Sequence, residues 1–242
     1  MLNPGAASPF LLVGDHAGRE VPRALGDLGI AAAEMDRHIA WDIGVAGLGR
    51  RLAARLDAAF VRQRYSRLVI DCNRDPRRPD AICEASDGTV IPANRGLSPQ
   101  ARAARVDEVF RPYHGAIADQ LDARAGRPGV LVALHSFTPE MAGARRPWRF
   151  GVLHLEDSPL SAAMLRRLRA DLPAAEVGDN QPYRMDGTDF TVPCHAHGRG
   201  MDYVELEVRQ DLIAQEAGQA AVAELLARLL PLALRDVLSP RR

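Results

Sequence analysis

The stretch PFLLVGDHAG, residues 9–18, decides the fold class, because an unbroken apolar run leads directly into a glycine, an aspartate and a histidine. A second stretch, VLVALHSFTP at residues 130–139, repeats the pattern and carries His135 after its run, as the first carries His16. Short continuous apolar runs predict strands that are buried on both faces of an α/β sheet. Ligands bind such sheets just beyond the carboxyl ends of the strands, so the two imidazoles could share one metal ion. The alternative is that each histidine only caps its strand and hydrogen-bonds to backbone.

The bulk composition excludes several classes of protein. The chain has 242 residues, of which 47% are hydrophobic, and we expect one α/β domain over residues 1–242. Acidic and basic residues balance at 31 each, so no charge bias favours nucleic acid or an anionic membrane. Three cysteines without a CxxC pair indicate no disulfide framework and favour a reducing compartment. Without a signal-peptide pattern or an apolar run of ~20 residues, we expect a cytoplasmic protein.

Strands and helices alternate along the rest of the chain, as in α/β proteins. Ser98 and Ser158, each followed by proline, are typical of helix starts. The stretch 75–97 is rich in Pro, Gly, Asp and Arg and predicts a long ordered loop, and loops of that length are usually functional. The predicted strands are 9–14, 67–71, 130–134, 150–154 and 203–208, and the predicted helices are 43–60, 98–125, 158–170 and 211–237.

A catalytic zinc ion takes three protein ligands, so His16 and His135 would need a third. Asp42 stands at the start of the first predicted helix, where its alternative role is an ordinary N-cap. Glu20, four residues after His16, is the other carboxylate within reach, and its alternative role is a solvated loop charge. His38, four residues before Asp42, is a candidate for orienting a ligand through a hydrogen bond.

Polar residues also follow the predicted strand 67–71. Asn73 and Arg74 suit a carboxylate, because the planar arginine fork binds both oxygens and the amide adds a donor. The alternative is an internal ion pair of Arg74 with Asp71 or Asp75.

Two glutamates and a histidine pair lie near the C-terminal predicted strand. Glu205 and Glu207 share one face of that strand, and a glutamate there can take the proton of an attacking water and pass it to a leaving amine. Their alternative role is that of solvent-facing strand charges. His195 and His197 form a His-x-His pattern in a polar loop, which fits a metal site loosely and could equally bring an imidazole over a substrate. His114, inside a predicted helix, is expected to be structural.

Taken together, these motifs resemble the N-formylglutamate amidohydrolase family. The similarity runs in order over nearly the whole chain, and its most specific parts are SR…DxNR and ExRxDL. The matching pieces are GDHAG at 14–18, HIAWD at 38–42, YSRLVIDCNR at 65–74, HSFTP at 135–139 and ELEVRQDL at 205–212.

The resemblance implies a zinc-exopeptidase-like fold: a three-layer α/β/α arrangement with a mixed, largely parallel sheet, of the phosphorylase/hydrolase-like kind found in zinc carboxypeptidases and aspartoacylases. It implies Zn²⁺ on two histidines and a carboxylate, an Asn-Arg pair on the substrate carboxylate, and a late glutamate as general base. One departure is that the usual His-x-x-Glu pair is not intact, because Arg19 stands three residues after His16 and Glu20 comes one later. Carried over to this chain, the metal ligands are His16, Asp42 and His135, the general base is Glu207, and Asn73 and Arg74 bind the substrate carboxylate. His195 matches a family histidine that stands twelve residues before that glutamate and is expected to be catalytic. Apart from the resemblance, we expect Arg67, Ser136 and Thr138 to bind the substrate from the walls of the pocket.

The expected function is therefore that of a metal-dependent amidohydrolase whose partner is a small N-acyl amino acid, with N-formyl-L-glutamate giving formate and glutamate. A deacylase or carboxypeptidase for another small carboxylate-bearing substrate is the alternative within the same chemistry. The alternative from another class is a small-molecule-binding protein on the same fold without catalysis.

Overall fold

A six-stranded sheet forms the centre of the computed structural model, which describes residues 1–126, 129–155 and 158–239. Two short hairpins lie outside this sheet. The strands of the sheet and the hairpins are, in chain order, β1 Phe10–Gly14, β2 Ala59–Arg62, β3 Ala85–Ser86, β4 Thr89–Val90, β5 Val130–Phe137, β6 Glu140–Met141, β7 Ala144–Arg145, β8 Phe150–Leu153, β9 Val177–Asp179 and β10 Asp202–Arg209.

The order of strands in the sheet is β2-β1-β5-β10-β8-β9. Strands β2, β1, β5 and β10 are parallel, β8 runs antiparallel to β10, and β9 is parallel to β8. This confirms the mixed, largely parallel sheet. The pairing of β5 with β10 places Glu207 directly opposite His135, so the topology brings two of the predicted site residues side by side.

Helices cover both faces of the sheet and complete three layers. On one face, α1 (Val45–Leu56), α4 (Pro159–Asp171) and α6 (Glu216–Leu238) bury alternate apolar side chains of the strands. On the other face, α3 (Arg111–Asp122) and α5 (Thr191–His195) pack with the segment 64–97. None of the described helices is both long and apolar enough to cross a membrane. The α-helices are α1 Val45–Leu56, α2 Pro99–Arg105, α3 Arg111–Asp122, α4 Pro159–Asp171, α5 Thr191–His195 and α6 Glu216–Leu238.

The helix starts at Ser98 and Ser158 are confirmed. Each serine side chain accepts the backbone N–H of the residue three positions later, which satisfies one of the free donors of the first turn. The single helix predicted over 98–125 is divided, because a π-helical turn at Val106–Phe110 joins α2 to α3.

The predicted extension of the first helix to residue 60 is wrong. Helix α1 stops at Asp57, which has a left-handed backbone, and β2 follows at Ala59–Arg62 as an edge strand.

The predicted strand 67–71 is also wrong. Residues 67–69 form a turn in which the Ser66 hydroxyl oxygen accepts the N–H of Leu68. The side chains of Leu68 and Val69 are nevertheless buried, because the apolar run packs against the α3 face of the sheet. The apolar run at 67–71 therefore predicted the burial of its apolar residues correctly but their strand conformation wrongly.

Two helical glycines provide a test of this packing. Gly49 in α1 lies against the ring of Phe60, and a Cβ built there would stand 2.3 Å from a ring carbon. Gly115 in α3 is exposed, and its Cβ would meet no described atom within 4 Å. Overpacking costs about 1–3 kcal/mol, whereas alanine in an open helical position gains up to about 1 kcal/mol over glycine. We expect Gly49→Ala to lower the free energy of unfolding in urea and Gly115→Ala to raise it; a gain in both variants would contradict the packing described.

Candidate active site

Three side chains from separate parts of the chain meet at the carboxyl edge of the parallel strands. His16 follows β1, His135 lies within β5, and Asp42 precedes α1. Oδ2 of Asp42 lies 3.0 Å from Nδ1 of His135 and 3.5 Å from Nδ1 of His16. All three residues are buried, and one ligand atom from each lies within 4.8 Å of the others.

Backbone contacts hold Asp42 at this point. Its N–H donates to the carbonyl oxygen of His16 at 2.8 Å, and its Oδ2 accepts the N–H of Ser136 at 3.2 Å. Its carboxylate does not cap α1, whose N-cap is Gly44 without a side-chain hydrogen bond. The N-cap alternative for Asp42 therefore does not describe the structure.

The donor set fits a divalent cation. Oδ1 of Asp71 lies 2.7 Å from Nε2 of His16, and Nδ1 of the same ring is buried without a hydrogen-bond partner among the described residues. Oδ2 of Asp15 lies 3.3 Å from Nε2 of His135. A carboxylate behind each imidazole is the arrangement by which proteins orient metal-binding histidines. Two imidazole nitrogens and one carboxylate oxygen match the three protein ligands of an open zinc site.

The electrostatics of the cluster favour positive charge. Burial by itself lowers the pKa of His135, but Asp15 and Asp42 outweigh it and raise that pKa well above its ordinary value. For His16, burial and Arg67 lower the pKa, and Asp71 and Asp42 more than compensate. The carboxylates around the two rings therefore favour positive charge at this point of the site.

The two other residues predicted near the ligands lie elsewhere. Glu20 is exposed, and its Oε2 accepts a hydrogen bond from Nε of Arg64 at 2.6 Å. His38 lines the cavity, but its Nε2 faces Oδ2 of Asp87 at 3.6 Å rather than Asp42. The side chains that contact the imidazoles of His16 and His135 are those of Asp71 and Asp15, not that of His38.

A cavity of about 590 Å³ opens over the cluster. Its size falls within the usual range for small-molecule sites. Besides the residues above, the wall includes Arg67, Asn73, Arg74, Ser136, Thr138, Tyr183, Glu205 and Glu207. Of these, Tyr183 was not predicted as a site residue, because it lies in the irregular stretch before α5, where no strand or helix pattern draws attention to it.

Both glutamates of β10 point into this cavity and are buried, so neither is a solvent-facing strand charge. Oε1 of Glu205 lies 3.9 Å from Nε2 of His135. Burial raises the pKa of Glu207 to about 7, even though the neighbouring His135 opposes the shift. A carboxyl group with a pKa near neutrality can both accept and return a proton, as general acid–base catalysis requires.

The two arginines of the wall are held by carboxylates. Nη2 of Arg67 lies 2.6 Å from Asp71, and Nη1 of Arg74 lies 2.6 Å from Asp80. The alternative predicted for Arg74, an ion pair with Asp71 or Asp75, is present with Asp71, whose carboxylate lies 3.6 Å from Nε of Arg74. The shorter pair, with Asp80, was not predicted. About a third of each arginine side chain remains exposed, so both guanidinium groups border the cavity.

Asn73 has a different environment from its neighbour Arg74. Its side-chain oxygen accepts the N–H groups of Phe190 at 3.0 Å and Thr191 at 2.9 Å, and its Nδ2 donates to Asp189 at 3.2 Å. The amide is therefore engaged in holding the segment that leads into α5.

His195 lies outside the wall of the cavity. Its Nε2 is 2.9 Å from Nδ1 of His114, and Nε2 of His114 is 2.9 Å from the carbonyl oxygen of Cys72. Burial, with His114 alongside, lowers the pKa of His195 to about 4, so the ring is neutral at physiological pH. His197 is exposed, and the two histidines of the His-x-His pattern do not converge.

Comparisons with known proteins agree with this architecture. The sequence profile of the N-formylglutamate amidohydrolase family matches residues 8–214. The structure of gene product Atu2144 from Agrobacterium tumefaciens is 38% identical, with 98% of this chain and 94% of that chain covered and a TM-score of 0.93. N-formylglutamate amidohydrolase from Ralstonia eutropha JMP134 is 19% identical over 95% of this chain and 94% of that one, and its TM-score of 0.71 shows a shared fold. No significant match was found among curated proteins.

The contrast between Asn73 and Arg74 predicts different effects on stability. Asn73→Ala removes the acceptor of two backbone N–H groups, and an unsatisfied buried donor costs about 1–3 kcal/mol. Arg74→Ala removes a partly exposed ion pair, which is worth at most about 1 kcal/mol. We expect only Asn73→Ala to lower the urea midpoint strongly and to speed hydrogen exchange at Phe190 and Thr191. Equal losses in the two variants would mean that the amide does not anchor this segment.

Proposed function

The chain belongs to the N-formylglutamate amidohydrolase family, and we propose that it is a metal-dependent amidohydrolase that cleaves the amide of a small N-acyl amino acid. The substrate we propose first is N-formyl-L-glutamate, which would give formate and glutamate. The observation that carries the proposal is the convergence of His16, Asp42 and His135 beside two buried glutamates in one cavity. Because these residues come from both ends of the chain and share one sheet edge, we propose one catalytic domain over residues 1–242.

We propose Zn²⁺ as the ion, held by His16, Asp42 and His135. When bound, such an ion lowers the pKa of a water molecule to about 7 and polarises the scissile carbonyl. Asp71 and Asp15 face the Nε2 atoms of His16 and His135 at 2.7 Å and 3.3 Å, an arrangement that favours a proton on each Nε2 and leaves each Nδ1 to offer its lone pair. Glu20 is not proposed as a ligand, because its carboxylate is engaged with Arg64.

Glu207 is the proposed general base. Its buried carboxylate lies opposite His135 across the β5–β10 pair, and its pKa of about 7 suits the transfer of a proton from water to the departing nitrogen. Glu205 borders the same cavity, with its Oε1 3.9 Å from Nε2 of His135, and is assigned no step. His195, with its neutral ring paired to His114 outside the wall, is assigned no proton transfer.

Recognition of the substrate carboxylate is proposed for the arginine side of the cavity. Arg74 and Arg67 present partly exposed guanidinium groups there, and arginine binds a carboxylate through two parallel hydrogen bonds. A substrate carboxylate would take the place of Asp80 on Arg74. Ser136 and Thr138, which follow His135 in the sequence, line the cavity and are proposed to contact the rest of the substrate. Asn73 is proposed to support the site by holding residues 189–191.

The activity can be tested with the zinc-loaded protein and a panel of N-formyl, N-acetyl and N-succinyl amino acids. We expect formate release from N-formyl-L-glutamate, and we expect Glu207→Gln to bind metal and substrate but to turn over about 10²–10⁴-fold more slowly. Glu224→Gln, an exposed change on α6, is the matched control and should keep wild-type activity. Hydrolysis restricted to another acyl group would indicate a different deacylase, and no hydrolysis at all, or full activity of Glu207→Gln, would overturn the assignment.

The ligand set can be tested separately from turnover. We expect about one zinc per wild-type chain by elemental analysis, as three-ligand sites bind one ion. Asp42→Ala should lose most of this metal, because it removes a ligand between the two imidazoles. Glu20→Ala, which removes the other carboxylate near His16 in the sequence, should retain it. Full occupancy in Asp42→Ala would remove that carboxylate from the proposed set.

A further inference from the structure

Asp15 connects the candidate metal centre to a distant part of the chain. It follows β1 directly and only 1% of its surface is exposed. Its Oδ2 faces Nε2 of His135 at 3.3 Å, and its Oδ1 accepts a hydrogen bond from Oγ1 of Thr191 at 2.7 Å. The two oxygens of one carboxylate thus join an imidazole of the metal centre to a hydroxyl 176 residues away in the sequence.

Thr191 is itself firmly placed. It is the first residue of α5, fully buried, and its N–H donates to the side-chain oxygen of Asn73 at 2.9 Å. Its hydroxyl also lies 3.4 Å from the carbonyl oxygen of Cys72, but a hydroxyl has a single proton, and the shorter contact, to Asp15, receives it. Contacts therefore run without interruption from Asn73 through Thr191 and Asp15 to His135.

The two metal-facing imidazoles are supported in different ways. Behind His16, Asp71 is fixed by Nη2 of Arg67 at 2.6 Å and by the N–H of Asn73 at 2.9 Å. Behind His135, the Thr191 hydroxyl donates a hydrogen bond to Oδ1 of Asp15. Without this hydroxyl, the Asp15 carboxylate would lose that hydrogen bond, and its hold on the imidazole would weaken.

We propose that Thr191 is a positioning residue of the metal centre: through Asp15 it orients His135 so that Nδ1 faces the ion. The inference rests on the proposed function, because it takes His135 to be a metal ligand. It extends the centre beyond its immediate ligands to α5, an element that does not itself line the cavity. It also gives Asn73 a purpose, since that side chain fixes the backbone of Thr191.

The test is a titration of the metal-free, full-length protein with Co²⁺, followed by the visible absorption of the bound ion. Thr191→Val keeps the shape of the side chain but removes the hydroxyl that holds Asp15, the partner of His135. Loss of a histidine's direct partner typically weakens metal binding about 10–100-fold, and we expect Thr191→Val to weaken Co²⁺ binding by about tenfold, at the lower end of that range. Thr191→Ser keeps the hydroxyl and should restore wild-type affinity. Ser161→Ala, which removes a fully buried hydroxyl from α4 on the opposite face of the sheet, should leave affinity unchanged.

The outcomes separate this inference from the proposed function. A wild-type protein that binds no Co²⁺ would overturn the metal centre itself. A wild-type protein that binds it, with Thr191→Val binding equally well or Thr191→Ser binding as weakly as Thr191→Val, would overturn the role of the hydroxyl alone. If circular dichroism shows that Thr191→Val does not fold, Thr191→Ala, which also removes the hydroxyl, decides: a loss of about tenfold supports the inference, and unchanged affinity overturns it.

Discussion

The structure depends on the pairing of charges that folding has removed from water. Asp42 lies between two imidazoles, and Asp15 and Asp71 lie behind them, all nearly inaccessible to solvent. Burying such groups is tolerable only where partners compensate the lost hydration. Here the compensation is incomplete, because among the described residues Nδ1 of His16 and Oε2 of Glu207 have no hydrogen-bond partner. Each unpaired buried group of this kind lowers the free energy of unfolding by about 1–3 kcal/mol. A bound ligand that contacts these atoms would offset this loss of stability.

The features that the sequence predicted well are those set by one strand and the residues directly after it. Strands β1 and β5 and the placement of His16 and His135 followed from apolar runs that end in polar residues. The shared face of Glu205 and Glu207 followed from the two-residue period of a strand. For the carboxylate beside the two histidines, the sequence offered both Asp42 and Glu20, since nothing local distinguishes them. In the structure, the Asp42 N–H donates a hydrogen bond to the carbonyl oxygen of His16 and holds this residue beside the rings.

The features that were missed depend on contacts between distant segments. The run at 67–71 has the composition of a buried strand, yet its place in the sheet is taken by β2, and a turn buries the same side chains. Asn73 was interpreted through its chemistry alone, whereas its amide is matched to backbone groups more than a hundred residues later. His195 was assigned to catalysis on the resemblance, and its pairing with His114 could not be seen from spacing along the chain.

Strand β10 is the last strand in the sequence, but it lies inside the sheet between β5 and β8. During synthesis, the edges of β5 and β8 that face β10 therefore stay unpaired until residues 202–209 have been made. The parallel pairing of β10 with β5 joins segments that are distant in the sequence, and such pairing is intrinsically slow. The same strand carries both buried glutamates. A chain interrupted before β10 would have its histidines and the aspartates beside them, but neither a continuous sheet nor the two buried glutamates, so the fold and the proposed chemistry are completed together at the end.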